Sequence, residues 1–122
     1  MNARKKLKEE YIQKKNRMGV FQIRNTVNGK IYIGCSLNLE AIWNRNKMEL
    51  NFGNHRNSVL QNDWKLLGEA NFKYEILSEV VQKDEDRIDY NKEVKTLEAM
   101  FITELNPVYN SINLSPRISK SL

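Results

Sequence analysis

Glu98 stands where a carboxylate is least expected, inside the apolar stripe formed by Val94, Leu97, Phe101, Ile102 and Leu105. An ionised carboxylate on a buried face is costly unless it is paired or binds a metal. Two readings follow for Glu98. It is a ligand for a hard divalent ion such as Mg²⁺, which accepts one carboxylate and several waters, or a stripe-edge residue that reaches solvent or bonds a nearby Tyr or Asn. The lone cysteine, Cys35, excludes an internal disulfide, and His55 is the only histidine, so no Cys/His cluster of the structural-zinc kind can form. Any metal must therefore be held by carboxylate and water. Upstream, "GVFQIRNTVNGKIYIG" carries Phe21 and Tyr32 on two short apolar runs. A tyrosine with an ordinary pKa of about 10 is a poor base unless a metal or a cation stands beside it.

The elements that must position these residues follow from periodicity. Strands are expected near 19–25 and 30–35, joined at Asn28-Gly29 in a two-residue loop. That loop sets Ile23 against Gly34 and Phe21 against Ser36, with Phe21 and Tyr32 sharing one face. Cys35 then lies on the opposite face, as core packing rather than a nucleophile. Leu39, Ile42, Trp43, Asn46 and Leu50 predict a helix over about 38–51 whose stripe includes one polar residue, Asn46. Leu60, Trp64 and Leu67 predict a second helix near 56–67 that stops at Gly68. "FKYEIL" alternates as a third strand. The charged run "QKDEDRIDYNKE" is expected to be a solvated loop or helix start, before a last helix over about 92–105 that ends at Asn106-Pro107. Trp43 and Trp64 fall on apolar stripes, as core. The order of elements is that of an α+β fold, a small sheet with helices against it.

A chain of 122 residues with this pattern forms one domain. Its net charge is +5, but residues 1–17 carry seven basic side chains against two acidic, while the remaining 105 carry 13 of each. The body is neutral and the arm is basic. The expected division is a basic helical arm over 1–17, a domain over 18–110 and a loosely ordered tail over 111–122. Clustered Lys and Arg suit a phosphate backbone, which makes the arm the candidate electrostatic handle for nucleic acid; a solvated helical extension is the plainer alternative. No run of about 18 apolar residues exists and no apolar segment follows the basic start, so a cytoplasmic protein without a membrane partner is expected.

The "GVF" motif, "YIG" ten residues later, the Trp-containing helix, "LEAMFITELNP" and the closing "YN" together resemble the GIY-YIG nuclease domain of intron-encoded homing endonucleases and the excinuclease C subunit. The resemblance runs from about Gly19 to Asn110. It implies a three-stranded antiparallel sheet flanked by helices that cuts DNA phosphodiesters with one divalent metal, Mg²⁺ or Mn²⁺. Carried over by position, Tyr32 matches the second motif's tyrosine, Glu98 the metal ligand, Asn110 the bracing asparagine, and His55 a histidine seen in some members. Three positions depart from the pattern. The first tyrosine is Phe21, the arginine before the helix tryptophan is Ile42, and Asn46 stands where many relatives have histidine.

A missing proton-transfer group costs typically about 10² to 10⁴ in rate, and a missing stabiliser of transition-state charge about 10² to 10³. Arg45, three residues beyond Ile42, and Arg56, beside His55, are the candidates to replace the lost cation. Two functions are therefore carried forward. One is a catalytically weak or inactive member that keeps the fold as a nucleic-acid-binding or protein-interaction module. The alternative is an active Mg²⁺-dependent DNA endonuclease with an atypical residue set.

Overall fold

The computed structural model describes residues 16–82 and 88–110. The arm over 1–15, the middle of the charged run and the tail from 111 lie outside the described residues, and with them the helix expected in the arm and the loose order expected in the tail. The elements are β1 (Met18–Asn25), β2 (Ile31–Ser36), α1 (Leu39–Phe52), α2 (Ser58–Leu67), a 3-10 turn (Glu69–Asn71), β3 (Phe72–Val80) and α3 (Tyr90–Leu105). The three strands form one antiparallel sheet in the order β2-β1-β3, with helices against it, which is the α+β architecture expected.

One expectation fails at the hairpin. The register pairs Phe21 with Gly34, Gln22 with Ile33 and Ile23 with Tyr32, two residues away from that of a two-residue Asn-Gly loop. Asn25 is the cause. Its backbone carbonyl accepts from Gly29 N–H at 2.8 Å and its side chain accepts from Val27 N–H at 2.9 Å. These bonds organise a longer loop, Thr26–Gly29, which turns at Gly29 with φ +78°. A shift of two residues preserves the pleat, so Phe21 and Tyr32 still share a face and Cys35 still points away from them.

The shared face supports the main core. Phe21, Ile23 and Phe72 pack with Leu39 and Leu50 of α1 and Leu60 and Trp64 of α2. Trp43 lies flat on Tyr74, with ring centroids 4.8 Å apart and planes within 9°, and both tryptophans serve the core as expected. Each helix begins on an asparagine or aspartate whose side chain accepts a backbone N–H of the first turn: Asn38, Asn57 and Asp89. The last two helices stop where the sequence indicated, at Gly68 and at Asn106 before Pro107. The third helix packs on β1 and β2, with its Glu98 beside the Cys35 thiol that faces away from the main core.

The chain after α3 closes the domain. Tyr109, fully buried, joins the main core. Asn110 donates from Nδ2 to the carbonyl of Ile33 at 3.0 Å, and its Oδ1 accepts from the N–H of the same residue at 2.9 Å. Both outward backbone groups of Ile33 are satisfied by a single carboxamide. Asn110 is thus a brace for the strand that carries Tyr32.

Candidate functional site

Strand β2, the loop before α2 and the helix α3 bring Tyr32, His55 and Glu98 to one edge of the sheet. The His55 ring meets the Tyr32 ring edge-on at 5.5 Å. Tyr32 is half-buried. Burial pushes its phenol above the ordinary value, the Arg56 charge opposes that shift, and the negative charges of Glu98 and Glu49 add to it. Among the described residues the Tyr32 hydroxyl has no hydrogen-bond partner. The hydroxyl of Tyr74, by contrast, donates to the Leu39 carbonyl at 2.6 Å, and that of Tyr109 to Asp63 Oδ2 at 2.6 Å.

His55 is buried and held at both nitrogens. Nδ1 accepts from Asn57 N–H at 3.0 Å, so the ring proton sits on Nε2 and is donated to Asn46 Oδ1 at 2.6 Å. Asn46 is fixed in turn, because its Nδ2 donates to the Ile42 carbonyl at 2.7 Å. This explains the polar member of the α1 stripe. Burial, with the Arg56 charge assisting, lowers the imidazole pKa. Protonating Nδ1 would also break its bond to Asn57. In this arrangement His55 has no nitrogen free to take a proton and serves as a spacer beneath Tyr32.

Glu98 has a partner that the sequence did not reveal. Burial raises the pKa of its carboxylate, and the neighbouring Cys35 thiol on β2 opposes that shift. Since Cys35 and Tyr32 point to opposite faces, Glu98 acts on Tyr32 around the edge of β2. Among the described residues no group of three His, Cys, Asp or Glu side chains is placed to hold a metal ion. Glu98 would offer Mg²⁺ one half-buried carboxylate, with water left to complete the near-octahedral shell. Burial and the neighbouring carboxylate together push the Cys35 thiol up to about 11. Alkylation of Cys35 by iodoacetamide at pH 8 is expected to be slow and to accelerate only as pH rises toward 11; in Glu98→Gln the same acceleration should begin at lower pH. A pH–rate series in both proteins checks this, and fast labelling of the native protein at pH 8 would contradict it.

The departing positions are filled with apolar contacts. Phe21 is 2 % exposed. Its ring runs over Gly34, where an added Cβ would sit 2.5 Å from Phe21 Cζ, the carbon on which a tyrosine carries its oxygen. Ile42 packs on the core beside Trp43. Arg45 lies along α1, two-thirds exposed, with Nε 3.6 Å from Glu49 Oε2. The cation whose charge acts on Tyr32 and His55 is Arg56. A second group escaped the sequence reading: Asn25 Nδ2 donates to the Tyr109 hydroxyl at 3.0 Å, and Asn57 Nδ2 to the Tyr109 carbonyl at 3.0 Å. Asn25 and Asn57 are both fully buried. Only the frequency of asparagine in loops hinted at them, since their partners lie 84 and 52 residues away.

No family model matches the chain. Intron-associated endonuclease 1 of Enterobacteria phage T4 is 33% identical over 98 residues, which is 80% of this chain and 36% of that protein, so the chain spans little more than a third of its curated relative. Among solved structures, the catalytic domain of the homing endonuclease I-TevI superposes with a TM-score of 0.62 at 30% identity, covering 73% of this chain and 88% of that domain. A mutant of the same catalytic domain gives 0.63 at 29% identity, covering 74% and 84%.

Proposed function

The chain belongs to the GIY-YIG nuclease superfamily, and we propose that it is a DNA-binding member in which phosphodiester hydrolysis is lost or residual. The supporting observation is that the polar groups left at the site are spent on the protein itself. His55 is bonded at both nitrogens, Asn46 at both amide atoms and Asn110 at both, and the Glu98 carboxylate is half-buried beside Cys35. At the positions of the superfamily's tyrosine and arginine, Phe21 is buried in the core and Ile42, partly buried, packs against it. A general base must reach the proton it removes, and a charge stabiliser must meet the charge that develops. No group here is free to do the first except Tyr32, whose raised pKa keeps it protonated near neutral pH. DNA as partner rests on the kinship with an intron-associated endonuclease and on the basic first 17 residues.

Nicking of supercoiled plasmid in Mg²⁺ or Mn²⁺ by the native protein and by identically prepared Glu98→Ala tests the reading. Equal, background-level rates are expected. Cleavage by the native protein that disappears in the variant would establish the active alternative.

A further inference from the structure

Phe52 is 76 % exposed, the only aromatic side chain among the described residues that stands in solvent. The other rings between the sheet and α1 and α2 pair off, Trp43 with Tyr74 and Trp64, and Trp64 with Phe72. Phe52 is left out of that stack. Its backbone is nevertheless well held: Gly53, in the left-handed region, caps α1 by donating to the Glu49 and Leu50 carbonyls, and Gln61 Nε2 donates to the Leu50 carbonyl at 2.9 Å. One exposed apolar side chain is ordinary. This one borders a cleft of about 260 Å³ between the end of α1 and α2, shared with Asn51, Gln61, Trp64 and Lys65.

Most polar side chains of the cleft are committed to the protein. Trp64 Nε1 donates to Asn51 Oδ1 at 3.0 Å, and Gln61 is bonded through both amide atoms, to the Leu50 carbonyl and to the His55 N–H. Two kinds of group remain. Lys65 is exposed and makes no ion pair among the described residues. The carbonyls of Asn51 and Phe52, at the C-terminal end of α1, accept no hydrogen bond among the described residues, and the last turn has no basic side chain to meet them. A flat apolar face, open acceptors and one cation suit a ligand with an aromatic face, an amino donor and a phosphate. The volume falls below the range of about 300–1,000 Å³ typical of drug-sized pockets and suits a single ring system.

We propose that this cleft holds one unpaired base of a DNA strand, stacked on Phe52, with the adjoining backbone phosphate on Lys65 and an exocyclic amino group on the carbonyl end of α1. This deepens the DNA-binding reading and rests on it. A base inside a duplex is covered on both faces, so the site selects DNA in which one base has left the stack. None of these contacts uses Tyr32, His55 or Glu98. A chain that has lost hydrolysis therefore keeps them.

The test is binding of the full chain to a paired DNA duplex and to the same duplex with one bulged adenine, comparing native protein with Phe52→Ala, Phe52→Trp and Lys65→Ala. Both positions are exposed, so the variants should fold. Native protein should favour the bulged duplex by about 5-fold or more, Phe52→Ala should bind both duplexes alike at the native affinity for paired DNA, and Phe52→Trp should restore the preference. Lys65→Ala should lower the slope of log affinity against log salt by about one on the bulged duplex. A fluorescent adenine analogue at the bulge should be quenched by native protein and not by Phe52→Ala, a signature that lost charge would not produce. Native-like preference in Phe52→Ala, or equal binding of both duplexes by native protein, would overturn the base site and leave DNA binding standing. Failure of the native protein to bind either duplex would overturn both.

Discussion

Gly19→Ala should destabilise the domain by about 3 kcal/mol or more, measured by urea unfolding. Gly19 lies in β1, the central strand, between Ser36 of β2 and Glu79 of β3. A Cβ there would fall 2.0 Å from the Ser78 carbonyl oxygen and 2.9 Å from Glu79 Cα. Those are backbone atoms on a neighbouring strand, so no side chain can turn aside to make room. The register irregularity at Val20 and Phe21 begins immediately after this close approach, and Gly19 itself has φ +156°. Gly34→Ala is the instructive partner. Its obstacle is the Phe21 ring rather than backbone, so a smaller loss, about 1–3 kcal/mol, is expected as the ring shifts. A Gly19→Ala protein within 1 kcal/mol of native would sink the argument. The glycines of "GVF" and "YIG" are thus explained by space, one for a strand and one for a ring, with no appeal to chemistry.

The second large effect concerns activity. Phe21→Tyr combined with Ile42→Arg is expected to raise Mg²⁺-dependent plasmid nicking at least about 10²-fold over native, and Glu98→Ala introduced into the double variant should erase the gain. The two substitutions return the kinds of group whose loss costs about 10² to 10⁴ and 10² to 10³. The gain is set at the low end because such groups act as a unit and their contributions do not multiply. Placing a guanidinium beside Trp43, against the core, costs stability, so thermal unfolding of the double variant must accompany the assay. A folded double variant no faster than native would show that the closed bonds of His55 and Asn46 matter more than the two missing groups.

How far the sequence carried depended on the range of the interaction. Strand alternation, helix stripes and helix stops at Gly68 and Asn106 are local signals, and they located the three strands and the helices α1 to α3 to within a few residues, while the 3-10 turn over Glu69–Asn71 gave none. The hairpin register was misjudged because Asn28-Gly29 is a strong local cue, while Asn25, three residues earlier, organises the loop through its own carbonyl and side chain. The apolar character of Phe21 and Ile42 was legible directly. The partner of Glu98 was not, since a cysteine on β2 and a glutamate on α3 are joined only by packing. Asn46 was legible as an anomaly in its stripe and became intelligible only with His55 in place. The buried asparagines at 25 and 57 gave no periodic signal, because each serves a bond to a distant tyrosine.

The amide of Asn110 has the donor and acceptor of a peptide group, and it meets Ile33 as the next strand of the sheet would. β2 is therefore not an open template at that point, although it is an outer strand. Unpaired strand edges invite addition of foreign strands and aggregation. Here a strand from another molecule would first have to evict a side chain anchored beside the fully buried Tyr109. One carboxamide thereby gives the domain the guard that other sheets obtain from a covering helix or an edge lysine.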